Sequence, residues 1–258
     1  MIRKFKHLIG CALAAKDGEI GKLREMLFDD HSWSIRYLVV DAGSWLLGRD
    51  VLIAPTALGE IDEQASRIVA HLDKEQVRNS PPIESEKPVS RQYEERYYRH
   101  YAWAPYWVVP GTGAGMAMMP PLTVDEPEVS ENLQPKVPPE DKGDPCLRSS
   151  GEVARYSIHA QDGELGHIED FLFDDADWRI RYLVVDTRKW FPGKHVLVAP
   201  NWIQEISFET GKVFVNLPRS TIKAAPEYDD GAPISRAYEQ RLVDHYGYKS
   251  YWDAVASK

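Results

Sequence analysis

Cysteine is nearly absent from this chain. Only Cys11 and Cys146 occur among 258 residues, too few for a disulfide framework or a cysteine-based zinc site. A reducing cytoplasm is the expected compartment. Cations are outnumbered as well, with 31 Lys and Arg against 40 Asp and Glu and a net charge of −9. Nucleic-acid binding needs clustered cations that displace counterions, so no direct nucleic-acid contact is expected. Long apolar runs are missing too. A membrane-spanning helix needs about 18 or more apolar residues, and the nearest approach, 108–122, is broken by Pro110, Pro120, Pro121 and three glycines. The N-terminal stretch has a basic start and a short apolar run, which imitates a secretory signal. It aligns with residues 151–160 of the same chain, so it is expected to be a folded strand.

What is present is a long internal echo. Asp17-Gly-Glu-Ile-Gly reappears as Asp162-Gly-Glu-Leu-Gly, Ile35-Arg-Tyr-Leu-Val-Val-Asp41 as Ile180-Arg-Tyr-Leu-Val-Val-Asp186, and Val51-Leu-Ile-Ala-Pro55 as Val196-Leu-Val-Ala-Pro200. The offset is 145 residues throughout, without a gap, and it persists through Pro81/Pro226, Ser90-Arg91/Ser235-Arg236 and His100-Tyr101/His245-Tyr246. Solenoids and propellers repeat every ~20–50 residues, so a period this long indicates a duplicated domain. Three segments are expected: copy one over 1–107, an acidic Pro- and Gly-rich linker over 108–145, and copy two over 146–258. Each copy is long enough to bury its own core.

Within copy one, residues 6–16 read as a strand and Asp17-Gly18 as a tight turn. Gly21 suggests a bulge or a close backbone approach in the next strand. The strand 34–41 is apolar on both faces, so both require cover, and a helix or the sister copy can provide it. Asp73 and Gln76 have capping-box spacing ahead of a short helix. A second helix over 90–101, with Ser90 as its N-cap, carries Tyr93, Tyr97 and Tyr101 on one face, the pattern of a packing surface.

The motifs Asp-Gly-Glu-Leu-Gly-x-Ile-Glu-Asp-Phe-Leu-Phe-Asp-Asp, Trp-x-Ile-Arg-Tyr-Leu-Val-Val-Asp and Val-Leu-Val-Ala-Pro resemble the PRC-barrel family. The likeness covers roughly residues 5–80 and 150–225, and the segments 88–96 and 233–241 resemble extensions of bacterial tandem PRC-barrel proteins. The resemblance implies a mainly β fold with short helices: two tandem small β-barrels, each followed by an aromatic helix. It also implies binding and assembly rather than catalysis. The family barrel occurs in the photosynthetic reaction-centre H subunit and in a ribosome maturation factor. Alternative roles are therefore a ribosome-maturation or RNA-processing adaptor and reaction-centre-like assembly support.

The repeat serves as an internal control, because a function shared by both copies should keep its residues in both. Arg36, Asp41 and Trp45, with their counterparts Arg181, Asp186 and Trp190, recur at strand ends and in loops. They are the candidate interface, with an ion pair as the plainer role for Arg and Asp. Trp33 and Trp178 are expected in the core. Of eight histidines, only His100/His245 recur, beside tyrosines in the aromatic helix, which points to packing. Asp29-Asp30 and Asp174-Asp175 read as turn residues rather than the acids of a metal-dependent hydrolase. Gly111-Thr-Gly-Ala-Gly115 lacks the Lys and Ser/Thr of a phosphate loop. No catalytic residue, metal or cofactor is expected. The expected partner is a protein, with the two copies packed on each other as a pseudo-dimer.

Overall fold

A computed structural model describes residues 1–83, 89, 91–107, 147–187, 195–248 and 250–252. The 108–145 linker, Cys146, the Ser90 cap, the Gly111–Gly115 run and Trp190 lie outside the described residues.

In order, the first half contains β1 (Ile2–Lys4), α1 (Phe5–Leu8), β2 (Ala12–Ala15), β3 (Gly18–Asp29), β4 (Ile35–Asp41), β5 (Asp50–Ile53), β6 (Leu58–Asp62), β7 (Arg67–Ala70), α2 (Lys74–Arg78) and α3 (Arg91–His100). The second half repeats this order: β8 (Leu147–Ser149), α4 (Ser150–Val153), β9 (Ser157–Ala160), β10 (Gly163–Asp174), β11 (Arg179–Asp186), β12 (His195–Val198), β13 (Ile203–Ser207), β14 (Lys212–Val215), α5 (Arg219–Lys223) and α6 (Arg236–Tyr246). The protein is thus mainly β, with two sheets of seven strands ordered β5-β4-β3-β2-β7-β6 and β12-β11-β10-β9-β14-β13. Most pairs are antiparallel; β2–β7 and β9–β14 are parallel.

The seventh strand of each sheet comes from the other half. β1 pairs with β10, and β8 pairs with β3. The expected continuous strand over 6–16 is therefore corrected to the short helix α1 followed by β2. Gly10, at φ +84°, redirects the chain between them, which frees β1 to reach across. The exchange is anchored reciprocally. The Lys6 amide donates to Asp170 Oδ1 at 3.0 Å, while the Ser149 hydroxyl bonds to Glu25 and Ser150 Oγ accepts from the Met26 amide at 3.1 Å. Burial pushes the Asp170 carboxyl up to about 6 against the hydrogen bonds from the Phe171 and Lys6 amides.

A second contact lies where the long strands turn. Trp33 and Trp178 both hold positive φ, +56° and +54°, a strained setting for a bulky side chain. Each offers its carbonyl to the other half: Ile180 N donates to Trp33 O at 2.9 Å, and Ile35 N to Trp178 O at 2.7 Å. Trp33 is buried as expected, while Trp178 is only partly buried. Phe28 and Phe171 meet at 5.7 Å between ring centroids. The doubly apolar strand β4 is mostly buried, and Tyr97 and Tyr98 of α3 pack against its Tyr37.

Gly21 marks the expected close approach, and its counterpart Gly166 is under the same constraint. A Cβ on Gly21 would lie 2.0 Å from the Asp41 carbonyl oxygen, and one on Gly166 would lie 1.9 Å from that of Asp186. The Asp-Gly turns have a second use: Asp17 Oδ1 accepts from the Lys74 amide at 2.9 Å, and Asp162 Oδ1 from the Arg219 amide at 2.7 Å. The capping box at Asp73 and Gln76 forms.

Candidate functional site

The aromatic helices bring the recurring polar residues together. Tyr93 and Tyr97 of α3 and Tyr101 just after it are buried. The Tyr97 hydroxyl bridges β5, accepting from the Ala54 amide at 3.0 Å and donating to the Leu52 carbonyl at 3.1 Å. On the same helix Glu94 is fully buried and accepts from the hydroxyls of Tyr37 at 2.8 Å and Tyr106 at 3.1 Å. Half two repeats this: Glu239 accepts from Tyr182 at 3.1 Å and Tyr251 at 2.9 Å, with Arg236 at 3.0 Å. Burial, joined by the neighbouring carboxylate, raises the Tyr37 and Tyr182 hydroxyls far above their ordinary range. Both remain protonated donors. Reading the sequence for tyrosine spacing missed these glutamates, although Tyr-Glu recurs at 93–94 and 238–239.

Arg36 and Arg181 sit at the edge of these networks, over Tyr106 at 3.7 Å and Tyr251 at 4.1 Å. Their carboxylate partners are not Asp41 and Asp186. Arg36 pairs with Asp29 at 3.2 Å, and Arg181 with Asp177 and Asp174. Arginine and aspartate lie near opposite ends of one strand, too far apart to pair. Asp41 is exposed and accepts from the Gly43 amide at 2.8 Å. Asp186 is buried and lies 3.9 Å from His167. Trp45 donates from Nε1 to the Ile20 carbonyl at 2.6 Å, with the Lys74 ammonium 4.5 Å above its ring. The candidate residues therefore divide between two regions of each half, and Trp190 lies outside the described residues.

Asp29 and Asp30 serve the turn as expected and do more. Asp29 Oδ1 accepts from the amides of His31 and Ser32. Burial works against its charge, but the Ser32 amide and Arg36 outweigh it and hold the carboxyl below its usual range. Asp30 receives Arg148 Nε at 2.8 Å from the exchanged strand β8, as Asp175 receives Arg3 Nε at 2.6 Å from β1. Arg3 and Arg148 recur at the same offset, but in a flank where little else matches, so the sequence reading passed over them. His100 and His245 each contact a carbonyl oxygen at 2.8 Å, those of Gln76 and Thr221, which ties the aromatic helix to the short helix before it.

One cleft opens where the halves meet. It has a volume of about 360 Å³ and is bordered by Ser32 of half one and by Arg181, Pro200, Asn201, Trp202 and Tyr251 of half two. Trp202 stacks near Tyr246 and Tyr248, and its buried Nε1 has no acceptor among the described residues. Aromatic and arginine side chains at a concave junction have the composition of interface hot spots.

The fold and this cleft define a mainly β protein whose recurring polar groups hold sheet to helix. Residues 158–222, from β9 through most of α5, match the family model described as PRC-barrel domain. This half therefore carries a PRC-barrel domain, in agreement with the resemblance in the motifs. No curated protein matches the chain. No helix among the described residues is long and apolar enough to cross a membrane.

Proposed function

We propose that the chain is a non-catalytic binding and assembly module made of two PRC-barrel halves, duplicated in sequence and joined as an intramolecular pseudo-dimer. The observation that carries this reading is the Arg181–Trp202–Tyr251 cleft at the junction of the halves. Its walls come from half two, with Ser32 of half one at the border, so a partner seated there would touch both halves. The titratable groups that recur in both halves support a non-enzymatic role, since Glu94/Glu239, Arg36/Arg181 and Asp30/Asp175 are engaged in internal contacts. Arg36 and Arg148 already neutralise Asp29 and Asp30, which counts against a hydrolase built on those acids.

The partner on this reading is a protein that presents an aromatic or acidic anchor to the cleft. The test is quantitative affinity purification of the tagged chain from its own cells, beside Arg181→Ala and Tyr251→Ala variants whose folding is verified by circular dichroism. A stoichiometric partner retained by the native chain and lost from both variants is the expected result. A partner held equally by all three baits would place the binding surface elsewhere, and the absence of any partner would count against the assembly reading.

A further inference from the structure

The four positions that form one outer corner of each sheet have diverged between the halves. In half one they are Lys22, Arg24, Asp41 and Asp50, where Arg24 Nη1 meets Asp50 Oδ2 at 2.7 Å. This set contains two cations and two anions and neutralises itself. In half two the same positions are His167, Glu169, Asp186 and His195. Both cations are gone, and two imidazoles face two carboxylates.

The backbone brings these side chains together. His167 is the cross-strand partner of Asp186, and Asp186 that of His195, so the three form a row across β10, β11 and β12. Directly opposed side chains in such a row lie within reach of one another. Glu169 is the extra residue of a bulge between Ile168 and Asp170. A bulge re-aims a side chain, and here it brings Glu169 Oε2 to 2.8 Å from His195 Nε2. One ligand atom from each of Glu169, Asp186 and His195 lies within 4.8 Å of the other two. Ligands about 2.0–2.2 Å from a shared ion stand roughly this far apart after small side-chain adjustment.

Two further facts point to a ligand. Glu169 Oε2 and His195 Nε2 are both buried, and neither makes a hydrogen bond of proper geometry among the described residues, although they face each other. Buried polar atoms left in this state are uncommon in folded proteins. The Lys6 ammonium, which also approaches Glu169, contacts Oε1 at 3.2 Å and leaves Oε2 available.

We propose that Glu169, Asp186 and His195, with His167 at the rim, bind one divalent transition-metal cation of the Zn²⁺ class. Imidazole nitrogen with carboxylate oxygen suits zinc and its neighbours better than calcium or magnesium. A second cluster of this composition, Asp29, Asp30 and His31, has its carboxylates held by Arg36 and Arg148. The ion would tie β12 to the bulge of β10 in half two, where half one uses the Arg24–Asp50 ion pair.

The test uses the full chain without a histidine tag, stripped with chelator. Zn²⁺ is titrated by calorimetry, and Co²⁺ by visible absorption, which reports the ligand geometry. One ion per chain is expected. The variant carrying Glu169→Arg and His195→Asp restores the half-one pair and is expected to fold, with binding about tenfold or more weaker. His195→Gln is a second variant expected to move in the same direction, and His31→Ala should leave the titration unchanged. The proposal is overturned if the native chain binds neither ion, if binding survives both site variants, or if His31→Ala alone abolishes it.

Discussion

At Glu94 and Glu239 the two halves are interchangeable, whereas at Arg24 and Glu169 they are opposite in charge. The first pair lies under an aromatic helix, where any change leaves buried hydroxyls without an acceptor. The second lies on an outer corner, where solvent tolerates several solutions so long as local charge is met. The two halves thus share what holds each sheet to its helix and differ at the outer corner. Recurrence between halves marks structural necessity here, and its failure marks the position with room for a function of its own.

The largest loss of stability is expected at the close-approach glycines. Gly21→Ala and Gly166→Ala each drive a Cβ into backbone, which cannot yield as a flexible side chain can. Overpacking costs about 1–3 kcal/mol and more where backbone must move, so each variant is expected to lose at least about 3 kcal/mol in denaturant unfolding, by similar amounts in the two halves. A large difference between them would show that the halves do not share this constraint.

Next come Glu94→Ala and Glu239→Ala. Each strips the acceptor from two tyrosine hydroxyls, at about 1–3 kcal/mol for each donor left unsatisfied. Two-dimensional NMR of the aromatic signals should show the change confined to the mutated half.

A smaller effect appears with pH. The Lys4 ammonium holds the Asp230 carboxyl below its usual range, and Asp29 is depressed as well. A depressed carboxyl contributes stability that is present above the unfolded value, about 4, and is lost as pH falls through the folded value. Melting temperatures should therefore drop most steeply below about pH 4. Lys4→Ala should blunt that drop through a contact between halves, and Arg36→Ala through one within half one. The smallest change is expected at Trp45→Phe, which removes the hydrogen bond to the Ile20 carbonyl and costs about 1 kcal/mol. The readout is a thermal shift beside the native chain.

Much of each half was legible because it follows from local periodicity. The doubly apolar strand 34–41, the Asp-Gly turns, the capping box and the tyrosine stripe all carry their signal within a few residues. The exchange of β1 and β8 was not legible. A three-residue strand such as Ile2-Arg-Lys leaves no period to read, and a strand's partner is a long-range choice that alternation does not encode. The Arg36–Asp41 pairing was misjudged for a related reason: recurrence shows that both residues matter without showing that they meet. Glu94 was overlooked because a charged residue beside tyrosines on a helix usually faces water, and only the tertiary fold reveals the two hydroxyls that receive it.

The exchanged strands β1 and β8 join the two halves. A protease site placed in the 108–145 linker, followed by cleavage and sedimentation velocity under native conditions, tests this most directly. The two fragments are expected to sediment together as one complex with the mass of the intact chain. They should separate when Arg3→Ala and Arg148→Ala are combined with Asp170→Ala, which removes both arginine anchors and the Lys6 acceptor. Fragments that part after cleavage of the native chain, each as a stable folded monomer, would show that the exchanged strands do not hold the halves together.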